Sequence, residues 1–450
     1  MKRRELFRLG AVAGGAALLR PKTAAASQVD AAGRGWERAY SGAGKTDKPL
    51  PPGIPGRDYQ PVVVPGGGTL PWKIVDGVKV YHLVVGEVEH EFAPGLKAKC
   101  WGYNGFVNGP VIEGVEGERF RMYVTNKLPV KAGTTVHPHG VFLPSGMDGV
   151  GGLSQRAIQP GETFKYEWTW KQYGTLMYHS HHDEMTQMQM GLIGMFVIHP
   201  RRPAAGYRVD RDFALLMSEW SIPAGANRPN PNEMTDFNIL TFNGKAFPGT
   251  KPLICKKGDR VRIRLGNLST MSHHAIHIHG HYFKVTATDG GDIPVAGQWP
   301  ETTTIVPTGS VREIELVTDA PGDWAFHCHM LHHVMNQMGH GAGNMLGVDA
   351  KEIDRRVRKM LPSYMTMGPD GMGEHGEHIA GGMPVPANSI PMVGARGPKD
   401  YITMGGMATI VKVREDLKSY DEDPGYYKDP PGTVADLASP AEMKRDGINV

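Results

Sequence analysis

From about Trp72 onward, apolar and polar residues alternate in short runs such as Val78 to Val85, Arg119 to Thr125 and Arg260 to Leu265. A period of two predicts strands with one face turned inward. Gly, Pro and Asn punctuate these runs as turns. The pattern also repeats. Tyr103-Asn104-Gly105, Gly109-Pro110-Val111-Ile112, the turn Glu116-Gly117-Glu118 and the strand Arg119 to Thr125 lead to His137-Pro138-His139-Gly140. Phe242-Asn243-Gly244, Pro252-Leu253-Ile254, the turn Lys257-Gly258-Asp259 and the strand Arg260 to Leu265 lead to His277-Ile278-His279-Gly280. Each copy continues through a turn (Pro160-Gly161; Pro307-Thr308-Gly309) to a second motif, Tyr178-His179-Ser180-His181 or Phe326-His327-Cys328-His329. Self-similarity on this scale predicts a duplicated, all-β domain, each copy an antiparallel Greek-key barrel or sandwich.

Composition agrees with that reading. The 450 residues include 59 Gly and 35 Pro, with 40% hydrophobic and 21% charged residues, which excludes a single small module, collagen and a disordered chain. Met1 to Ala26 reads as an export signal, with Lys2, Arg3, Arg4 and Arg8, an apolar stretch from Leu9 to Leu19, and Ala24-Ala25-Ala26 before Ser27. It is too short to span a bilayer. Arg3-Arg4-Glu5-Leu6-Phe7 resembles a twin-arginine signal, with an ordinary secretory signal as the alternative. A periplasmic or extracellular location is therefore expected. The formal charge of +3 falls to −2 without this segment, since six basic residues and one acidic residue leave with it. Nothing in that balance supports nucleic-acid binding. The expected layout is signal 1–26, N-terminal extension 27–71, first domain 72–202, second domain 203–416 with an insertion at about 340–400, and a tail 417–450.

The chemistry lies in the histidines. Among 20 His in 450 residues, roughly one His-x-His pair is expected by chance, yet four stand at matching places in the two repeats. Residues at i and i+2 share a strand face while i+1 points away. His327 and His329 therefore face one side and Cys328 the other, and His274 lies opposite His277 and His279. Two kinds of site follow. One gathers His274, Cys328, His333 and Met338, the imidazole, thiolate and thioether set of blue copper. The other gathers His137, His139, His179, His181, His277, His279, His327 and His329. At the places of His274, Cys328, His333 and Met338 the first repeat carries Thr134, Ser180, Met185 and Met190, so only the second repeat suits blue copper. His82, His182, His273, His281, His332 and His340 are read as bystanders. Cys100 and Cys255 either pair or are small buried hydrophobes.

On these motifs, His-x-His-Gly, His-Ser-His, His-x-x-His-x-His-Gly and His-Cys-His-x-x-x-His-x-x-x-x-Met in that order, the chain resembles the multicopper oxidases over about residues 72 to 416. The short distance between the second and third motifs resembles the two-domain, laccase-like branch. That resemblance implies two cupredoxin-like domains, four coppers per subunit, and a homotrimer whose trinuclear clusters lie between neighbouring subunits. It implies type 1 copper on Cys328, His274 and His333 with Met338 axial, and type 2 copper on His137 and His277. It places one type 3 copper on His139, His179 and His329, and the other on His181, His279 and His327. Electrons from a reducing substrate would pass through Cys328 to His327 and His329, and dioxygen would be reduced to water. Asp148, in Met147-Asp148-Gly149, resembles the family's acidic residue beside type 2 copper and is a candidate proton relay; an Asp-Gly turn is the plain alternative.

In the second repeat, the closing strand Gly406 to Val411 stands more than sixty residues after Met338. The insertion holds a charged, helix-like piece (Lys351 to Leu361) and a Gly/Met/His-rich stretch from Tyr364 to Met392, expected to form a lid over His274 and His333. Thirteen of the 24 Met lie from Trp324 onward, and Met365, Met367, Met372, Met383, His375 and His378 suit cuprous ion, with adaptable Met packing in a loop as the plain alternative. The electron donor is therefore expected to be a phenol-type organic, Cu(I) or Mn(II). Two other readings compete. A copper nitrite reductase carries its blue site in the first domain, and a non-catalytic copper-storage or electron-transfer protein has no use for four His-x-His pairs.

Overall fold

The computed structural model describes residues 48–129, 131–223, 225–289, 291–337, 351–360, 387–392 and 394–449. The signal segment, Met338 and residues 361–386 of the insertion lie outside the described residues. The first half builds β1 (Trp72–Val75), β2 (Val78–Ala93), β3 (Leu96–Tyr103), β4 (Ile112–Val115), β5 (Arg119–Asn126), β6 (His137–His139), β7 (Thr163–Thr169), β8 (Gly174–His179) and β9 (Ile193–His199). One sheet runs β1-β2-β5-β7 with β3 also on β2, and the facing sheet runs β4-β9-β8-β6.

The second half repeats this wiring with β10 (Arg211–Trp220), β11 (Ile239–Phe242), β12 (Leu253–Lys256), β13 (Arg260–Asn267), β14 (His274–Ile278), β15 (Phe283–Thr288), β16 (Thr303–Val306), β17 (Val311–Val317), β18 (Gly322–Cys328) and β19 (Ala408–Arg414). Its sheets run β11-β10-β13-β17-β15 and β12-β19-β18-β14-β16. Both halves pair their longest strands in parallel, β2 with β5 and β10 with β13, and close on a second parallel pair, β4 with β9 and β12 with β19. The sequence repeat is thus a repeat of hydrogen bonding. The closing strand starts at Ala408, two residues later than Gly406. Gly406 has φ +54°, and a Cβ there would stand 2.2 Å from the His333 carbonyl oxygen, so the chain is still turning at that point.

Alternation drives each half to bury one face of each sheet. Phe120, Trp168, Trp170, Tyr178 and Phe196 fill the first core, and Leu253, Ile276, Phe326, Val411 and Val413 the second. A further apolar layer joins the halves, with Val62, Val111, Met177, Ile193 and Met195 against Ala214, Leu216, Leu268 and Val311. Each such side chain contributes about 1.5–3 kcal/mol on full burial. Part of the N-terminal extension belongs to this structure. Val63 exchanges backbone hydrogen bonds with Asp212 and Ala214, and Gly53 N–H donates to Glu118 at 2.6 Å. Cys100 and Cys255 are unpaired and buried in separate clusters. Of the insertion, Lys351–Met360 is helical, and Asn388 returns to the first half, accepting from Lys97 N–H and donating to its carbonyl.

At the junction Arg264 is wholly buried, bonded to Asp212 and Glu313 at 2.8 Å and, from β8, to the Thr175 hydroxyl at 2.8 Å. Removing the cation leaves two buried carboxylates without it. We expect Arg264→Met to lower stability by about 3–5 kcal/mol in chemical denaturation. A loss below about 1 kcal/mol would show that the junction does not depend on this network.

Candidate metal centres

Cross-strand register brings the predicted residues together. On β14 and β18, Ile276 pairs with Cys328 and His277 with His327, and directly opposed residues share a face. Cys328 therefore turns inward with His274 and Ile276, while His277 and His327 turn outward together. β18 ends at Cys328, and a short 3-10 turn, Leu331–Val334, carries His333 back beneath it. The Cys328 sulfur lies 3.3 Å from His333 Nδ1 and 3.7 Å from His274 Nδ1, and the two nitrogens are 3.1 Å apart. All three side chains are buried. Three soft or borderline donors aimed at one point could hold a metal ion. Burial, with His333 adding to it, holds the His274 imidazole well below its ordinary pKa, so it is a neutral ligand. Burial pushes the Cys328 thiol up to about 11, a cost that a bound cation offsets by stabilising the thiolate.

The outward histidines form two quartets. In the first half, His137 pairs in register with His179, and His139 Nδ1 stands 3.3 Å from His179 Nε2. The His181 ring lies 5.4 Å from that of His137. In the second, His279 Nε2 stands 3.2 Å from His327 Nε2, and the His329 ring lies 5.3 Å from that of His277. Backbone carbonyls orient the rings: Nδ1 of His137, His179, His277 and His327 points at the oxygens of Asp148, Ser180, Thr302 and Cys328, at 2.7 to 2.9 Å. Each of these four therefore presents Nε2 to a metal. Among the described residues, the close contacts of these eight histidines with one another all lie within one quartet. His279 and His329 are exposed, and His277 and His279 line an open cavity of about 870 Å³ with Trp324, His281 and Arg260.

Asp148 lies beside His137, as expected of the candidate relay. The short contact is its backbone carbonyl; its carboxylate is 3.4 Å from the ring and partly exposed. The turn is tight, for Gly149 has φ +73° and a Cβ there would stand 1.8 Å from the Val136 oxygen. Residues outside the predicted set also approach the histidines. Glu184, opening α1 (Glu184–Gln189), sits 3.5 Å from His179 and 3.8 Å from His181, and the Ser269 hydroxyl meets His274 Nε2 at 2.7 Å. Only the acidic run after His181-His182 signals Glu184, and nothing local signals Ser269.

The first half's counterpart of the buried triad holds no metal donors. Thr134 and Ser180 stand there as expected, but the third corner is Gln187, which accepts from Thr134 at 2.8 Å and Ser180 at 2.6 Å. Met185, expected at that corner, is instead 44% exposed. A one-turn helix replaces the 3-10 turn here, shifting the inward position by two residues.

Profiles of the multicopper oxidase family match residues 84–203 and 223–342, together just over half of the chain. Copper resistance protein A of Escherichia coli is 28% identical over 47% of this chain, which spans 42% of that relative's length. A solved multicopper oxidase, mgLAC, superposes with a TM-score of 0.54 at 26% identity, covering 74% of this chain and 85% of its own. The blue copper oxidase of Nitrosomonas europaea, at 24% identity and a TM-score of 0.55 over 74% of this chain and 85% of its own, has the same fold. The duplicated cupredoxin-like fold with a buried His-Cys-His set defines a blue-copper class of protein. The chain belongs to the multicopper oxidase family, in its two-domain branch. Copper is the metal of that family, and the donors present fit it.

Burial pushes the His179 imidazole down to about 3 from 6.5, so the folded ring stays neutral where the unfolded one takes up a proton. The unfolded state then binds more protons below pH 6.5, and stability falls as pH drops. We expect the metal-free protein to lose about 1.4 kcal/mol per pH unit for each such ring between about pH 6.5 and 4. Urea titrations across that range check this; a flat profile contradicts it.

Proposed function

We propose that this chain is a laccase-like oxidase, which takes electrons singly from a reducing substrate at type 1 copper and reduces dioxygen to two waters with four electrons and four protons. The single observation that carries this reading is the shared strand end, where Cys328 faces the buried site and its bonded neighbours His327 and His329 face the outer quartet. Bound copper would supply the redox chemistry, and the protein fixes donor identity, distance and access. Cys328, His274 and His333 would hold type 1 copper, with Met338 proposed as axial ligand. His137 and His277 would hold type 2 copper, with one type 3 copper on His139, His179 and His329 and the other on His181, His279 and His327, four coppers per chain. His332 is exposed and stands edge-on to His333 with ring centres 4.2 Å apart, so one ring separates the buried triad from an outside donor.

Separation of the quartets within one chain supports a homotrimer, with the first quartet of one copy meeting the exposed second quartet of the next. The Thr134-Ser180-Gln187 set argues against nitrite reductase organisation, because at that place the first half has hydroxyl and amide groups where the second has a thiol and two imidazoles. Eight outward imidazoles argue against simple electron transfer or storage. The donor is proposed to be a phenol-type organic or a reduced metal ion, Cu(I) or Mn(II), and the chain to act after export to the periplasm or beyond. Among the described residues no helix is long and apolar enough to cross a membrane.

Copper analysis and oxygen uptake with a laccase dye test this reading. We expect four coppers per chain, a trimer by light scattering, and oxygen uptake that Cys328→Ser abolishes together with the blue colour. Two or fewer coppers without oxygen uptake would return the chain to a non-catalytic role. Asp148→Asn should keep the blue colour and slow turnover about 10-fold or more, the scale of a positioned proton donor; unchanged turnover rejects the relay.

A further inference from the structure

Behind His274 lies a buried carboxylate that the proposed reaction does not use. Glu219, near the end of β10, is 3% exposed. Its Oε1 accepts from Met271 N–H at 2.5 Å and Ser272 N–H at 3.1 Å, while Oε2 has neither a hydrogen-bond partner nor solvent contact among the described residues. An unsatisfied buried polar atom costs about 1–3 kcal/mol, so its retention asks for a reason. The two N–H groups belong to the loop 268–273. Asn267 closes the same loop, accepting from Ser269 N–H at 2.9 Å and donating to the Ser272 oxygen at 2.9 Å. The loop holds Ser269 with its hydroxyl 2.7 Å from His274 Nε2, in a place where His274 has no exposed surface.

The direction of that contact follows from the donor set. His274 Nδ1 faces the Cys328 sulfur and His333, so in the neutral ring the proton sits on Nε2 and is donated to Ser269. A hydrogen bond from the far nitrogen raises the basicity of a ligand imidazole and fixes its ring plane. A more basic ligand favours the oxidised, more highly charged metal.

We propose that Glu219 is a positioning residue for the type 1 site: it clamps the loop 268–273 so that Ser269 holds His274, and through that one hydrogen bond it lowers the site's reduction potential. This rests on the reading of Cys328, His274 and His333 as type 1 ligands. If the copper-loaded wild type lacks an intense blue absorption, that reading fails before any variant is made.

The test is redox titration of the blue band, with electron paramagnetic resonance of the same samples. Ser269→Ala should raise the midpoint potential. Glu219→Asp keeps the charge but draws the acceptor back by one methylene, and should raise it too; Glu219→Gln keeps an oxygen for both N–H groups and should stay near wild type. The double variant Ser269→Ala/Glu219→Asp should shift no further than Ser269→Ala, because both changes remove one interaction. The proposal is overturned if Ser269→Ala leaves the potential unchanged, if Glu219→Asp does so, if Glu219→Gln shifts it as far as Glu219→Asp, or if the two single shifts add. Ser269→Ala removes only a hydroxyl, so its result stands even where a Glu219 variant fails to fold.

Discussion

Alternation of side chains along one strand is the constraint on which both kinds of metal site depend. On β18, Phe326 and Cys328 point into the barrel and His327 points out, so neighbouring residues serve different centres without any bend in the chain. The register with β14 completes the arrangement by placing Ile276 against Cys328 and His277 against His327. A slip of one residue would turn the thiolate outward and an imidazole into the core. β19 holds β18 from its other side, with His327 against Ala408 and Phe326 against Thr409.

The two surroundings differ as the chemistry of their donors requires. The His-Cys-His set is dry and enclosed, with its loop tied down from β10, which limits rearrangement when the charge at the centre changes. The outward quartets are wetter: carbonyl oxygens fix their rings, yet His279 and His329 remain exposed. Small reactants and protons can reach such a surface, whereas they cannot reach the buried sulfur. Proximity through covalent bonds joins the two environments at Cys328.

Much of this was legible in the sequence because it is periodic or local. The duplication follows from the repeated motifs, the strand character and the opposed faces of His-Cys-His follow from a period of two, and the structure shows the same wiring twice and the same faces. What escaped is long-range. Nothing near Ser269 or Glu219 marks them as neighbours of His274, because strand β10 and the loop meet only in the folded sheet. Arg264 reads locally as a strand residue facing solvent, and only the packing of β8 across β13 turns it into the buried centre of a junction. The misplacement of Met185 has a simpler cause. Counting forward from His181 assumes equal turns in both repeats, whereas α1 winds differently from the 3-10 turn that carries His333.

The plug of Thr134, Ser180 and Gln187 has a consequence for assembly. Duplication by itself yields two equivalent ports for charge, and two ports on one chain allow back-flow between them. Filling one with hydroxyl and amide groups, which neither accept nor release electrons under ordinary conditions, makes the chain polar in the electrical sense. On the proposed reading it has an input half and a receiving half. In the proposed homotrimer, polar units joined head to tail would give every receiving half one input, and the number of inputs would equal the number of subunits.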